Sequence, residues 1–356
     1  MSADIEHARQ FAEQVGGQLD CQVDSIYWGG GTPTLLDIAG LERLFVNISQ
    51  NFQVRKDAEI TVECAPGTLQ DSVIDLFLRY GVNRVSLGVQ SFVDQEARAV
   101  GRLHTRAVVL DDIARLQRAG ISNINVDLIA GLPHQDMASW SLSVQQLVDS
   151  GVPHASVYML EVDEDSRLGR ELMAGGTKYH AHFVPDDELT ADLYETACEA
   201  LNSVGIRQYE ISNFAHEGKE SRHNLKYWLR EPYMGFGVDA HSMLFSEERT
   251  LRAVRFRTAD STEGFMKTER MELTPVSNGA FLQEAFFLGL RLNRGVDRKE
   301  LEKEFGEMNV QEYAPVISEL ISFGLLAAEG DHIFLTSRGR LLSNEVFQHF
   351  VEVHVA

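Results

Sequence analysis

The stretch SIYWGGGTP, Ser25–Pro33, carries the strongest structural signal in this chain. It joins a β-type run to three consecutive glycines and a Thr-Pro pair. Consecutive glycines let the backbone approach a ligand closely and present N–H donors without a Cβ in the way. One glycine is usually enough for a strand-to-helix turn, so this run predicts a ligand-binding loop. The spacing fits neither GxGxxG nor GxxxxGKS/T, which argues against a dinucleotide site and a P-loop.

Short β-type runs and helix-period segments alternate through the first two-thirds of the chain. The later β-type runs are Ala58–Cys64, Asn83–Gln90, Ser122–Gly131, His154–Leu160 and Arg207–Ser212. The helical candidates are Leu36–Gln50, Leu69–Tyr80, Ala107–Ala119, Met137–Ser150 and Asp187–Val204. Strands rich in Val and Ile that alternate with helices predict a parallel sheet. This pattern fits an open doubly wound sheet and also a full or partial barrel.

Polar residues favour the barrel, because they fall at the ends of different strands. Glu63, Gln90 and Asp127 each lie near the end of a β-type run, as does the glycine stretch. Strand ends converge on one mouth in a barrel, whereas a dinucleotide-binding sheet concentrates its phosphate site after one strand. Carboxylates accept hydrogen bonds from an amine or a ribose diol, and Arg102 can pair with a carboxylate. Together these residues suit a zwitterionic amino acid that carries a nucleoside.

The composition is that of an ordinary globular protein. The 356 residues are 44% hydrophobic and 24% charged, with a formal net charge of −21. This acidic balance disfavours nucleic acid as a partner. No apolar run approaches membrane-spanning length, and the acidic N-terminal segment lacks the features of a secretory signal or transit peptide. We therefore expect a cytoplasmic protein with no membrane span.

The motif HNLKYW, His223–Trp228, presents a histidine beside two large aromatic residues. Histidine is a common axial ligand of haem iron, and Tyr and Trp offer flat faces that pack on a porphyrin. On local chemistry alone, a hydrogen-bonded structural histidine explains His223 better. His241 is an equally open candidate, and His104 is a weaker one. The twelve histidines include no HExxH motif and no metal-spaced cluster.

From about Phe281 the pattern becomes helical and then ends in two β-type arms, which predicts a small winged-helix-like domain. The predicted helices are Glu284–Leu292, Asp297–Phe305 and Glu312–Phe323. The helix that would enter a DNA groove, Glu312–Phe323, has no Lys or Arg, so a packing or lid role is favoured over DNA recognition. We expect three regions: a barrel over 1–215, a connecting haem- or porphyrin-site segment over 216–280, and the winged-helix-like domain over 281–356.

These landmarks follow one recognisable order along the chain. They are YWGGGTPTLL, VECAPGT, NRVSLGVQSF, GRLH, NVDLIAGLP, RQYEISNFA, HNLKYW and GFGVDAHS. As an ordered set, they resemble the haem-chaperone branch of the radical S-adenosylmethionine proteins, relatives of the oxygen-independent coproporphyrinogen III oxidases. The resemblance spans about Ser25 to Ser242 and continues weakly beyond. It implies an α/β fold, a partial (β/α)6 radical-SAM barrel whose first strand is missing, with the small C-terminal domain.

The resemblance also implies ligands. The residues that match the family's S-adenosylmethionine contacts are Gly30, Gly31, Thr32, Glu63, Gln90, Arg102 and Asp127. The HNxxYW element is associated with haem binding in the chaperone branch, which makes His223 the candidate haem contact. The number of S-adenosylmethionine molecules stays open.

One feature of the family has no counterpart in this sequence. Family members carry a CxxxCxxC loop after their first strand, and its three thiolates hold a four-iron four-sulfur cluster. Cys21, Cys64 and Cys198 lack this spacing, so no residue is assigned to a metal. We therefore expect the chain to be an N-terminally truncated form of a longer protein. In that case Ser25–Gly29 should form an edge of the sheet.

Three functions fit these observations. The first is a haem chaperone that binds haem and S-adenosylmethionine and delivers haem to an acceptor protein. The second is an oxygen-independent coproporphyrinogen III oxidase, a radical oxidoreductase of porphyrin biosynthesis. The third is a binding protein without a cluster and without catalysis. The HNxxYW element favours the first, because the oxidase pattern lacks it.

Overall fold

The computed structural model describes residues 1–161, 181–267 and 272–351. Its strands, in chain order, are β1 Gly17–Gln18, β2 Gln22–Trp28, β3 Gln53–Cys64, β4 Arg84–Gln90, β5 Asn123–Ala130, β6 His154–Met159, β7 Arg207–Gln208, β8 Asn213–Ala215, β9 His241–Ser246, β10 Ala253–Arg257, β11 Glu272–Val276, β12 Val296–Asp297, β13 Leu326–Glu329 and β14 His332–Leu335.

Helices connect most of these strands. In chain order they are α1 Ser2–Glu6, α2 Ala8–Gln14, α3 Ile38–Asn51, α4 Asp71–Arg79, α5 Asp94–Ala99, α6 Arg106–Arg118, α7 Met137–Asp149, α8 Asp187–Ser203, α9 Arg222–Trp228, α10 Thr262–Met266, α11 Asn278–Gly289, α12 Arg298–Phe305, α13 Glu307–Gln311, α14 Ala314–Ser322, α15 Ser337–Leu341 and α16 Ser343–Val351. Short 3-10 helices form at Pro33–Leu35 and Ala181–Phe183.

The described residues divide into two compact units. One contains Met1–Asp24, Leu44–Lys56 and the described chain from Arg222 onward; the other contains Ser25–Arg43 and the described part of Asp57–Ser221. We call them the terminal unit and the sheet unit. The sheet unit holds the glycine run and the four polar residues predicted to bind a nucleoside, and the terminal unit holds the HNLKYW motif.

A seven-stranded sheet with the order β2-β3-β4-β5-β6-β8-β7 organises the sheet unit. Strands β3 to β6 pair in parallel, as their alternation with helices predicted. Strand β2, which contains most of the predicted Ser25–Gly29 run, lies at one edge of this sheet. The α/β prediction is therefore confirmed for the strands that carry the candidate ligand residues.

The far edge of the sheet differs from the prediction of a parallel strand over Arg207–Ser212. Only Arg207–Gln208 pair there as β7, and the chain then turns so that β8 inserts between β6 and β7. Strand β8 is antiparallel to both neighbours. The physical reason is the connection: β7 and β8 are joined by a few residues, and a parallel pair needs a crossover of a dozen or more.

The two faces of the sheet have opposite character. Successive side chains of a strand point to opposite faces, so polar and apolar residues separate when they alternate. Val85, Leu87, Ile124 and Val126 are completely buried on one face. The polar side chains of β3 to β6 occupy the other face, including Glu63, Ser86, Gln90, Asn125, Asp127, His154 and Ser156. We call this surface the polar face.

The terminal unit contains two smaller sheets. Strands β1, β9, β10 and β11 form an antiparallel sheet, and Ala12 of helix α2 packs on Leu244, Val254 and Phe256 from it. Strands β12, β14 and β13 form the second sheet beside helices α12 to α14. Helices followed by the β13–β14 hairpin reproduce the predicted winged-helix-like order.

Candidate functional site

The glycine loop after β2 is shaped by the backbone. Gly30 has φ +76° and Gly31 has φ +148°, which side-chain-bearing residues rarely adopt. A Cβ at either glycine would meet no atom within 4 Å. The space beside these two peptide units is therefore open, as the predicted ligand-binding loop requires. Thr32 follows in extended conformation and begins the short helix Pro33–Leu35.

Gly29 is required for a different reason. A Cβ there would lie 2.6 Å from Cε1 of Tyr27 and 2.8 Å from the carboxyl carbon of Glu63. The hydroxyl of Tyr27 donates to Oε1 of Glu63 at 2.7 Å. Burial raises the pKa of Glu63, and the nearby charge of Asp127 adds to that increase, whereas the Tyr27 hydrogen bond opposes it. Glu63 is thus a carboxylate with a raised pKa whose orientation is fixed by the Tyr27 hydroxyl. The sequence analysis did not identify Tyr27.

Gln90 stands in a strained backbone conformation. Its φ is +68°, and the pairing of β4 with β5 shifts register between Leu87 and Gln90. A left-handed conformation at a non-glycine residue costs on the order of 1 kcal/mol, and such strain concentrates at functional sites. Gly88 lies near both Gln90 and Arg102: a Cβ at Gly88 would lie 3.4 Å from Nε2 of Gln90 and 3.7 Å from the Arg102 guanidinium. These two predicted contacts therefore lie in the same neighbourhood, around Gly88.

His104 supports this irregular stretch. It is buried, and its Nε2 lies 3.1 Å from the carbonyl oxygen of Val89, directly before Gln90. Burial lowers the pKa of His104. A buried ring that holds a backbone carbonyl has a structural role, so His104 is not a candidate haem contact.

Asp127 lies on β5, in the middle of the polar face. Its Oδ1 accepts from Nδ2 of Asn125 at 2.7 Å, and its Oδ2 accepts from the Ser86 hydroxyl at 3.3 Å. Desolvation by the surrounding protein raises the pKa of Asp127, and these donors and the charge of Arg84 oppose that increase. The charge of Asp127 contributes to the raised pKa of Glu63, so the two carboxylates lie close enough to interact electrostatically.

Glu63, Gln90 and Asp127 lie on the polar face, and the sequence analysis did not identify the residues that hold these side chains. Tyr27, Ser86, Asn125 and Ser156 hold the carboxylates or one another. A signal for them exists in the sequence: strands RVSLGVQ, NINVDLIA and HASVYM alternate polar and apolar residues along much of their length. A face that is polar over several parallel strands is unusual in a buried sheet, where both faces are normally apolar.

Helix α9 presents the HNLKYW residues. Nε2 of His223 lies 3.0 Å from the Tyr227 hydroxyl one turn later, and their rings meet edge to face with centroids 5.2 Å apart. Burial raises the pKa of Tyr227 to about 12, so the phenol stays protonated at neutral pH. Lys226 anchors the helix through ion pairs of 2.9 Å with both Asp24 and Glu231.

Trp228 of this motif and the second histidine candidate, His241, have other partners. The Arg291 guanidinium lies over the Trp228 ring, 4.2 Å from its centroid, a cation–π contact that holds the indole. His241 begins strand β9 and is largely exposed, with Nε2 3.7 Å from an Asp239 carboxylate oxygen. Of the two open histidine candidates, only His223 lies in an aromatic setting.

The cysteines do not fit an iron–sulfur cluster. Cys64 is buried, and burial raises its thiol pKa, whereas a cluster ligand is a thiolate. The Arg9 guanidinium lies 2.7 Å from Sγ of Cys21, and Cys198 lies within helix α8. Within residues 1–161, 181–267 and 272–351, no group of three or more His, Cys, Asp or Glu side chains could hold a metal ion. No step is therefore assigned to a cluster.

Known protein families and a solved structure match this chain. The sequence matches the Radical SAM superfamily over residues 3–147 and the HemN C-terminal domain over residues 276–342. The solved structure of the Escherichia coli coproporphyrinogen III oxidase HemN, a radical SAM enzyme, shares the fold with a TM-score of 0.78 and 22% identity, covering 92% of this chain and 78% of that one.

In the part of the chain that the structure describes, no helix is long and apolar enough to cross a membrane.

The parallel sheet with its polar face and the superfamily match together define a radical S-adenosylmethionine protein. Two bacterial relatives narrow this class. The haem chaperone HemW of Lactococcus lactis is 34% identical over 331 residues, covering 92% of this chain and 84% of the relative. HemW of Bacillus subtilis is 34% identical over 339 residues, covering 94% and 86%. The chain belongs to the HemW family of haem chaperones, which confirms the predicted family and fold.

Proposed function

We propose that this protein is a cytoplasmic haem chaperone that binds haem and S-adenosylmethionine and delivers the haem to an acceptor protein. The relatives in Lactococcus lactis and Bacillus subtilis are named haem chaperones. The observation that carries the proposal is the polar face, which holds the carboxylates of Glu63 and Asp127 and has an open glycine loop next to Glu63, with Gln90 and Arg102 near Gly88 of β4.

Six of the seven predicted contacts have a chemically suitable role toward S-adenosylmethionine. When bound, this molecule presents an amine, a carboxylate and a ribose diol. Glu63 and Asp127 accept hydrogen bonds from amine or hydroxyl donors, and Arg102 pairs with a carboxylate. The peptide groups of Gly30, Gly31 and Thr32 can approach the ligand because no Cβ atoms project at the two glycines.

Haem is assigned to helix α9 with His223 as the contact. The Tyr227 hydroxyl is hydrogen-bonded to Nε2 of His223, which fixes the orientation of the imidazole ring in the haem-free chain. Haem iron that bound at Nε2 would have to displace that hydroxyl. Tyr227 itself is a poor anionic ligand because its pKa lies at about 12.

The test is a pair of titrations on the purified full chain, one with hemin and one with S-adenosylmethionine. We expect both to bind, and we expect His223→Ala to weaken hemin binding by about tenfold or more, equivalent to about 1.4 kcal/mol. His332→Ala, an exposed histidine on strand β14, is the matched control and should bind hemin as the wild type does. An unchanged His223→Ala titration rejects the haem role, and a loss in His241→Ala instead transfers it to that residue.

Delivery is tested separately. Hemin-loaded protein is mixed with apomyoglobin as a generic acceptor, and transfer is followed by visible absorbance. If haem reaches apomyoglobin faster from this protein than from a hemin–albumin complex, the chaperone function is supported. Turnover of coproporphyrinogen by the same preparation would instead favour the oxidase.

A further inference from the structure

A buried hydrogen-bond network lies beneath Asp127 on the polar face. It links side chains from strands β4, β5, β6 and β8, the last through Asn213, whose Oδ1 accepts from the Ser156 hydroxyl at 2.9 Å. The cross-strand register sets it up, since Asn125 lies opposite Ser86 on one side and opposite His154 on the other. Asn125, Ser86, Ser156 and His154 are each at most 3% exposed. None of them belongs to the predicted ligand contacts.

Asn125 is the centre of this network. Its Nδ2 lies 2.7 Å from Oδ1 of Asp127, 2.8 Å from the Ser86 hydroxyl and 3.0 Å from the Ser156 hydroxyl. Oδ1 of Asp127 accepts from this amide, and the Ser86 hydroxyl uses its own hydrogen on Oδ2 of Asp127, so the amide atom on this side is the nitrogen. The amide oxygen of Asn125 therefore points away from the ligand side, toward His154.

His154 holds the amide in that direction. Its Nδ1 lies 2.6 Å from Oδ1 of Asn125 and must donate, because an amide oxygen only accepts. Its Nε2 then accepts from the Tyr209 hydroxyl at 3.0 Å, and that hydroxyl in turn accepts from the backbone N–H of Ser221. Burial, together with the charge of Arg84, depresses the pKa of His154 well below its ordinary value, which keeps the ring neutral and able to accept at Nε2.

We propose that Asn125 is a positioning residue for Asp127, and that His154 fixes the direction in which the Asn125 amide donates. This inference rests on the proposed binding of S-adenosylmethionine by Asp127. Without the Asn125 donor at 2.7 Å, the carboxylate keeps only hydroxyl donors, from Ser156 and from Ser86 at 3.3 Å, and loses its amide donor. The residue acts through Asp127, so its effect must vanish when Asp127 is absent.

A double-mutant cycle on S-adenosylmethionine affinity tests this dependence. We expect Asn125→Ser, whose side chain is too short to reach Asp127, to weaken binding about tenfold, as expected for one hydrogen bond to a charged group. In an Asp127→Ala background the same change should have less than about a twofold effect. Asn123→Ser is the matched control: it lies two residues earlier on β5, and its Oδ1 has no hydrogen-bond partner among the described residues.

The outcomes separate the two proposals. If the wild type does not bind S-adenosylmethionine, the proposed function fails. If it binds, and the Asn125 and Asp127 effects simply add, the nucleoside site stands and the positioning role is overturned. Thermal unfolding of each variant shows whether an affinity loss reflects misfolding; where Asn125→Ser fails to fold, the near-isosteric Asn125→Asp replaces it, and it should weaken binding at least as much because two carboxylates then face each other.

A second measurement needs no ligand. In 15N NMR of histidine-labelled protein, we expect His154 to be neutral with its proton on Nδ1. His154→Phe, which keeps an aromatic ring but removes the donor, should weaken S-adenosylmethionine binding as Asn125→Ser does, with thermal unfolding checking that the larger ring is accommodated. A proton on Nε2, or full affinity in His154→Phe, would overturn the assigned direction of the network.

Discussion

Glu63 shows how the immediate surroundings of one side chain set its pKa and its orientation. The carboxylate is desolvated, lies near a second carboxylate, and keeps one direct phenol donor in Tyr27. Gly29 leaves the space that both side chains need. At this scale the candidate site depends on close contacts of a few ångströms between residues far apart in sequence.

Replacing Tyr27 by Phe should move the pH dependence of S-adenosylmethionine binding upward. The Tyr27 hydroxyl stabilises the ionised carboxylate, so removing it raises the pKa of Glu63 further. Binding that needs the carboxylate is present above this pKa and is lost as the pH falls through it. Affinity measured between roughly pH 8 and pH 5 should therefore decline at a higher pH in the variant. Tyr80→Phe, which removes a donor to Glu42, is the control, and coincident curves for Tyr27→Phe and wild type contradict the prediction.

Replacing Tyr227 by Phe should strengthen hemin binding. The change removes the hydroxyl that competes for Nε2 of His223 and keeps the edge-to-face ring contact. One hydrogen bond corresponds to about a two- to tenfold gain in affinity. Spectrophotometric hemin titration measures it, with Tyr233→Phe as the control because that ring packs on Tyr227. A loss of affinity would show that the Tyr227 hydroxyl itself contacts the haem.

On the scale of a single element, the end of strand β4 is irregular, and this irregularity includes the candidate contact Gln90. The strand pairs regularly up to Leu87 and then shifts register before Gln90, which has a positive φ and lies, like Arg102, near Gly88. His104, outside the strand, holds the carbonyl of Val89. Irregular ladders of this kind re-aim a side chain at the end of a strand.

Two substitutions at Gln90 separate backbone strain from ligand contact. Gln90→Gly and Gln90→Ala both remove the amide, so both should lose the same S-adenosylmethionine affinity. Only glycine relieves the left-handed conformation, so Gln90→Gly should be more stable than Gln90→Ala by about 1 kcal/mol. Urea unfolding measures the difference. Equal stabilities would mean that the backbone at Gln90 carries no strain.

On the scale of the whole molecule, the two proposed ligands are assigned to different units. The seven candidate S-adenosylmethionine contacts lie in the sheet unit, and His223 lies in the terminal unit. The regions predicted as 1–215, 216–280 and 281–356 stay a prediction that limited proteolysis can test. An acidic net charge of −21 belongs to the chain as a whole and disfavours a nucleic-acid partner.

The 356-residue chain should not assemble a four-iron cluster. Its three cysteines lack the CxxxCxxC spacing, and Cys64 is buried with a raised pKa. Anaerobic reconstitution with iron and sulfide, followed by iron analysis and visible absorbance, should yield no stoichiometric cluster. The same chain with all three cysteines changed to serine is the control for adventitious iron. A cluster present in the first and absent from the second contradicts the prediction.

The amino-acid sequence by itself determined the family, the α/β class and the parallel strands, and it predicted the candidate contacts, which stay a prediction. These follow from local patterns: a glycine run, polar residues at strand ends, and the alternation that separates a polar from an apolar face. Tertiary structure alone decided that β8 inserts antiparallel, that β4 breaks at Gln90, and that His154 directs Asn125 toward Asp127. The reason is physical. Register and hydrogen-bond direction arise between strands that are distant along the chain, so no local spacing encodes them.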